Sequence, residues 1–339
     1  MLLRGVRAGM HARSTAASTS GADGRLPGGT RAAAVRACRW AAAAATAAAA
    51  CAPNTARIAA LSRADAVVAA VWGAARASAV FRHDSFEPLL VLVAFSACLL
   101  WWWCIDHALV GRRWAKAFQL CPGDSSLAHW RVEDGTRSRL CEVVAVFVAP
   151  VLLMDVLWPR RAAKVDAAGD IGFLQLIVEV LVGLLAYDVL FALSHLAMHK
   201  HPLLWKIHAK HHDQTVVRAR DTIRLHPLDE AIDVGCSIAA VNLMRLHPLA
   251  RSLYNAVIIL ALCDLHSGWD VPCSLENLLG ERLWGGSRRH HAHHLGTCKG
   301  SAYSKFFPQI DAAIDTAGLA ASAMASRGAR EGRGRVPHP

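Results

Sequence analysis

The sequence predicts an all-α fold: a multi-span helical membrane protein with a histidine-rich helical region facing the cytosol. Three observations carry this expectation. The 339 residues are 54% hydrophobic with a mean hydropathy of +0.28, too apolar for an ordinary soluble domain. Apolar runs long enough to approach or exceed the thickness of a bilayer recur along the chain. Thirteen of the 18 histidines fall within residues 195–294, where even placement would put about five.

Residues 1–82 hold 11 Arg, no Lys and two acids, Asp23 and Asp65, so +9 of the net +11 charge belongs to this stretch. The basicity is local, and no basic stripe with interleaved aromatics marks a nucleic-acid surface. The Ala-, Arg- and Ser-rich composition, with an alanine tract at 41–50, reads as a transit-like targeting segment, a weak membrane anchor or a disordered, compositionally biased extension. No fold is predicted for it. The ten cysteines are scattered without a C-x-x-C pair, several inside apolar runs where Cys acts as a small hydrophobe.

The membrane-embedded domain is expected over residues 83–320. Its first span covers 88–104 and ends in Trp101, Trp102 and Trp103, an aromatic belt. A second apolar run covers 143–157 and a third 171–193. The third carries Glu179 and Asp188, and intramembrane acids face a protein interior. Residues 231–244 and 253–265 form shorter runs, open to reading as a re-entrant hairpin, two tight spans or buried helices. The Gly-, Arg- and Pro-rich tail at 321–339 is expected to be disordered.

The 105–142 loop holds six Lys/Arg against three in 158–170. If all three spans cross, the positive-inside rule places the 105–142 loop and the histidine region in the cytosol. The arginine-rich N-terminus then falls on the opposite side, in conflict with the rule, unless it is cleaved or an additional span precedes Pro88.

His195 and His199 are four residues apart, and His208, His211 and His212 sit at i, i+3 and i+4. His290, His293 and His294 repeat that spacing. On helices, each cluster is a comb of imidazoles pointing in a common direction. Desolvated imidazole is costly unless paired or metal-bound. Eight convergent rings exceed what one ion can use, so two metal ions are the economical reading. Imidazole suits zinc, copper, iron and nickel alike. His201 and His247, each beside a proline, read as structural. The chain has no H-E-x-x-H, no G-x-S-x-G and no G-x-G-x-x-G after a strand-like run, which removes the commonest zinc protease, serine hydrolase and dinucleotide-binding signatures.

The order H-x-x-x-H, H-x-x-H-H, distant H-x-x-H-H resembles the membrane-bound fatty acid hydroxylase/sterol desaturase superfamily. Asp188–Val189–Leu190–Phe191 before the first cluster, Trp205 before His208, Arg224–Leu225–His226–Pro227 and His266–Ser267–Gly268–Trp269–Asp270 extend the likeness. It covers roughly residues 85–316. Departures are His291, where many members carry Asp, and Ser301–Ala302–Tyr303 in place of an Asn-Tyr-Gly-like run.

The resemblance implies a non-haem di-iron monooxygenase or desaturase that uses O₂. It implies His195, His199, His208, His211, His212, His266, His290, His293 and His294 as iron ligands. Asp188, His226 and Asp270 become candidates to fix imidazole tautomers from behind. The implied substrate is a membrane lipid, a sterol first. Electrons come from a separate cytochrome b5 and its NAD(P)H reductase, or from ferredoxin in a plastid, because no H-P-G-G haem signature is fused to the chain. The expected location is the endoplasmic reticulum membrane, with a plastid membrane as the alternative from the transit-like N-terminus. Rival readings are a carotenoid or fatty-acyl hydroxylase and, from another class, a membrane metal transporter or metal-binding protein.

Overall fold

The computed structural model describes residues 29–121, 149–157, 159–212, 217–297 and 302–318. Among them the regular structure is helical, and an isolated antiparallel bridge joins Gln119 to Trp269. The helices are α1 Gly29–Cys51, α2 Asn54–Ala77, α3 Ala79–Arg82, α4 Phe86–Leu109, α5 Ala149–Leu157, α6 Arg161–Ala167, α7 Phe173–Lys200, α8 Pro202–His208, α9 Pro227–Leu243, α10 Pro248–Leu265, α11 Leu275–Leu279 and α12 Ser287–His294. A last helix, α13, is described over residues 308–318.

The architecture hangs on α7, whose 28 residues run about 42 Å at 1.5 Å each. Leu176, Val180, Leu184, Tyr187 and Phe191 recur at helical spacing and are buried against Val241 and Leu246, near the C-terminal end of α9, and Ala250, Tyr254 and Ile258 of α10. The next positions on that stripe are His195 and His199, so the apolar face that seats the helix also aims the first two imidazoles. Gly183 permits the close approach of α10: a Cβ there would lie 2.9 Å from Leu246 Cδ1 and 3.0 Å from Tyr254 Cδ2. On the other side of α10, Cys98 and Trp102 of α4 pack with Cys263 and Trp269. The Trp269 indole N–H donates to Asp106 at 2.7 Å.

Three His–Pro steps start helices. Pro202, Pro227 and Pro248 occupy first-turn positions, where a missing N–H costs nothing. His226 Nδ1 accepts the Leu228 N–H and His247 Nδ1 the Leu249 N–H, both at 3.2 Å. The imidazole thus serves as an N-cap.

Among the described residues four helices are long and apolar enough to cross a membrane: Asn54–Ala77, Phe86–Leu109, Phe173–Lys200 and Pro248–Leu265. The expected span at 88–104 lies within one of them, that at 171–193 falls in another from Phe173 onward, and the 253–265 run belongs to a third. Of the expected span at 143–157, residues 143–148 lie outside the described residues, and the nine residues of α5 are too short to cross alone. The 231–244 run lies mostly within the 17-residue α9, which meets neither the length nor the composition of a span.

The N-terminal stretch needs correction. Residues 1–28 and the tail at 321–339 lie outside the described residues, but residues 29–77 form α1 and α2 rather than a disordered extension. Alanine, read as low complexity, is also the strongest helix former. Trp72 is buried with its ring 6.1 Å from Phe81 and 4.4 Å from His247. Asp65 accepts the Phe173 N–H at 2.7 Å, capping α7 from a distance. Asp65 and Arg76 therefore meet the N-terminal end of α7, where Arg76 lies 3.7 Å from Asp170. Arg31 and Arg39 meet Asp270 and Asn277 near the histidine end. The pair runs between the two ends with a break at Ala52–Pro53. This additional candidate span puts the arginine-rich helix on the histidine side and removes the charge conflict.

Arg161 ties the opposite end together. Its guanidinium donates to Phe81 O and Glu87 Oε1 at 2.5 Å each and to Ser252 Oγ at 3.1 Å, under the Phe81 and Phe86 rings. Arg161→Ala should lower stability by roughly 3 kcal/mol, the low end for breaking a buried pair, because Glu87 keeps Arg251. Arg82→Ala, which removes the exposed pair with Asp166, should leave the melting temperature in detergent unchanged. Equal shifts in the two variants would refute the role given to Arg161.

Candidate metal centre

The histidines converge from four places. His195 and His199 lie in the last two turns of α7, and His208 ends α8. His211 and His212 follow in a turn whose N–H groups both reach back to His208 O, at 2.9 and 3.4 Å. His266 caps the C-terminus of α10, and His290, His293 and His294 fill α12. The short α12 is seated by Gly285 and Gly286. A Cβ on Gly286 would lie 2.5 Å from Glu276 Oε2, and one on Gly285 would lie 2.7 Å from Lys305 O.

They form two groups, His195, His199, His208, His212 and His293 in one, His211, His266, His290 and His294 in the other. Within each, one candidate ligand atom per residue lies within 4.8 Å of all the rest. The combs are not each aimed at one point, as their spacing suggests. Neighbouring residues on a helix differ by about 100° in direction, so His293 and His294 part company; His211 and His212, adjacent in the turn after α8, also fall to different groups. Each of the last two clusters straddles both groups.

Inside the groups the Nε2 atoms face one another: His195 to His208 at 2.9 Å, His199 to His195 and His212 to His208 at 3.1 Å. His266 to His290 measures 2.9 Å and His290 to His294 3.2 Å. Nitrogens bound to one first-row ion at about 2.1 Å, at right angles, stand about 3.0 Å apart. The far sides of the rings fix the tautomers. His195 Nδ1 faces Tyr303 O at 2.8 Å, His208 Nδ1 faces Asp229 Oδ2 at 2.8 Å and His266 Nδ1 faces Leu262 O at 2.9 Å. Carbonyl and carboxylate only accept, so these Nδ1 atoms carry the proton and each Nε2 presents a lone pair. Two lone pairs 2.9 Å apart, as between His195 and His208, are repulsive unless a cation lies between them. The residues fit a metal ion in each group.

Burial first, and neighbouring imidazoles second, push His211, His212, His290, His293 and His294 down, His293 to about 3 and His294 to about 2. Burial holds His266 down at about 4. At neutral pH these rings are free bases, the form that binds metal.

The residues expected behind the ligands lie elsewhere. Asp188 touches no imidazole: it accepts the backbone N–H groups of Lys305, Phe306 and Phe307 at 2.6, 2.9 and 2.7 Å. With Asp311, which accepts the Tyr303 N–H at 2.7 Å, it shapes the segment whose Tyr303 carbonyl orients His195. His226 is the cap of α9, and Asp270 accepts from Asn277 and Arg31. The carboxylate that does reach a ring is Asp229, 2% exposed in the first turn of α9, three residues after His226. His201 is exposed, and His291 pairs with Cys121 Sγ at 3.3 Å, outside both groups. A small cavity opens onto His195, His208, His211, His266 and His290, walled by Phe191, Leu225, Leu262 and Lys305.

A family model described as fatty acid hydroxylase matches residues 180–316, the stretch that supplies all nine of these histidines. Over this stretch, about 40% of its length, the chain is similar to the fatty acid hydroxylase family. It is 30% identical to cholesterol 25-hydroxylase of Rattus norvegicus over 155 residues, 44% of this chain and 49% of that protein. It is 28% identical to cholesterol 25-hydroxylase of Homo sapiens over 178 residues, 52% of this chain and 64% of that protein. Methylsterol monooxygenase 2-2 of Arabidopsis thaliana is 26% identical over 134 residues, 39% of this chain and 50% of that protein. The chain spans about half to two-thirds of the length of these relatives. No solved structure matches.

Asp229→Asn should weaken metal retention about 10- to 100-fold, the usual cost of losing a carboxylate behind a metal-bound imidazole. Dialysis against graded chelator with metal analysis reads this, and unchanged retention would remove Asp229 from the centre.

Between pH 6.5 and about 4 the unfolded chain takes up protons that the buried rings of the metal-free protein refuse. Stability of the metal-free protein should therefore fall as pH is lowered through that window. A melting temperature flat from pH 7 to 4.5 would contradict the buried, neutral state of the rings.

Proposed function

We propose that this protein is an O₂-dependent oxidoreductase that hydroxylates or desaturates a C–H bond of a membrane lipid, a sterol first, with two iron ions as its resident metals. The observation that carries the reading is the pair of all-imidazole groups at one end of a bundle of membrane-length helices. The relatives, sterol hydroxylases and monooxygenases by name, support the same class. Imidazole alone does not choose the metal, but oxidation of an unactivated C–H bond requires a redox-active one, which sets zinc aside.

Bound iron supplies the reduction of O₂ to an oxidant strong enough to take hydrogen from the substrate. Hydroxylation balances as RH + O₂ + 2e⁻ + 2H⁺ giving ROH + H₂O. The chain's own residues hold the imidazoles neutral and buried, fix their tautomers through Tyr303 O, Asp229 and Leu262 O, and wall the cavity with Phe191, Leu225 and Leu262 to present an apolar substrate and exclude water. Electrons come from a separate carrier, cytochrome b5 with its NAD(P)H reductase in the endoplasmic reticulum, or ferredoxin in a plastid membrane. A carotenoid hydroxylase fits less well, since three residues rather than four separate His195 and His199. A metal transporter would need ligands able to release the ion, and rings locked from behind argue for a resident one.

Expression in yeast strains lacking individual sterol oxidases, followed by lipid profiling, should show one intermediate consumed and one oxidised product formed. His211→Ala and His293→Ala, one from each group, should each abolish the product while the protein stays in the membrane with its metal content reduced. Turnover retained in both variants would sink the proposal.

A further inference from the structure

We infer that Arg31, on the N-terminal helix α1, is a positioning residue for the group His211, His266, His290 and His294, acting through Asp270. The inference rests on the two-metal reading.

Asp270 is 4% exposed and lies four residues beyond His266. Its Oδ1 accepts from Asn277 Nδ2 at 2.7 Å, and its Oδ2 accepts from Arg31 Nε and lies in ion-pair contact with the same guanidinium's Nη2. The seam it occupies joins the two elements that supply three of this group's four rings. The neighbouring Trp269 carbonyl accepts from Ser287 Oγ, in the first turn of α12, at 2.7 Å. The Asp270 N–H donates to Phe118 O at 2.7 Å. A cation reaching in from 239 residues away neutralises a buried carboxylate between the His266 loop and the helix that bears His290 and His294.

The contact is built into one face of α1. Arg31, Val35 and Arg39 recur every four residues; Val35 is buried, and Arg39 Nε donates to Asn277 O at 2.5 Å. Without Arg31 the remaining cation near Asp270 among the described residues is Arg288 of α12, 3.7 Å from Oδ1. Arg288 also stands 3.7 Å from Glu276 and 3.0 Å from Glu281. A buried carboxylate stripped of its partner is strongly unfavourable, so Arg288 would be drawn across and the first turn of α12 with it. The other group takes four of its five rings from α7, α8 and the following turn, away from this seam.

The test is a titration of the purified, chelator-stripped full chain with Co²⁺ alone, followed by visible absorption and equilibrium dialysis. The unmodified chain should bind two equivalents. Arg31→Ala should keep one at its original affinity and weaken the other about 10- to 100-fold, with helical circular dichroism unchanged. Arg31→Lys should recover most of the loss and Arg39→Ala should show none. Arg31→Ala combined with Asp270→Asn should be no worse than either alone, the non-additivity expected of one pathway. Two equivalents at unchanged affinity in Arg31→Ala, additive effects, or loss of both equivalents together with helical signal would each overturn the role of Arg31. Fewer than two equivalents in the unmodified chain would overturn the two-metal reading and this inference with it.

Discussion

Lone pair facing lone pair, across 2.9 Å between His195 and His208, is the constraint on which the rest of the site depends. Nothing among the described residues relieves it, because Tyr303 O and Asp229 hold the protons of both rings on the far nitrogens. The folded protein is therefore poised for cations. Packing on the apolar face of α7, the close approach at Gly183, and the Asp188-bound segment that presents Tyr303 O all serve to hold the arrangement against its own repulsion.

Two separate groups also follow from local geometry. Adjacent histidines on a helix point about 100° apart, so His293 and His294 of α12 fall to different groups, as do His211 and His212 in the turn after α8. The ring centres of His212 and His294 lie only 4.7 Å apart, stacked at 28°. Of the α12 rings only His293 belongs to the first group, while His290 and His294 belong to the second, and Gly285 and Gly286 hold the helix at a distance from Glu276 and Lys305 that no side chain would allow.

The clustering of the histidines was legible because three- and four-residue spacings translate directly into helical neighbours. Asp229, Tyr303 O and Leu262 O were not. A backbone carbonyl has no residue signature, and Asp229 looks like an ordinary first-turn acid of α9. The partition of each comb was hidden for a related reason, since spacing says which residues share a face but not how many sites that face serves. At the N-terminus composition left a leader, a membrane anchor and a disordered extension open, because Asp65, Trp72 and Arg31 show their value only through partners 108, 175 and 239 residues away. The main spans were legible from their apolar length, because the hydrophobic requirement is local to each helix.

Charge poses a last question. A purely imidazole donor set brings no negative charge, yet two divalent ions would bring four positive charges into a buried site. The donors sit at helix C-termini: His195 and His199 in the last two turns of α7, His208 at the end of α8, His266 at the C-cap of α10, and His294 at the end of α12. Each such end carries roughly half a negative elementary charge in its unsatisfied carbonyls, an effect that is strongest within the last turn and away from solvent. Convergence of four such ends supplies a distributed counter-charge, and Asp229 adds a full one behind His208. Carboxylates in the inner sphere would then be unnecessary to balance the charge, and a neutral imidazole set would suffice to hold two ions.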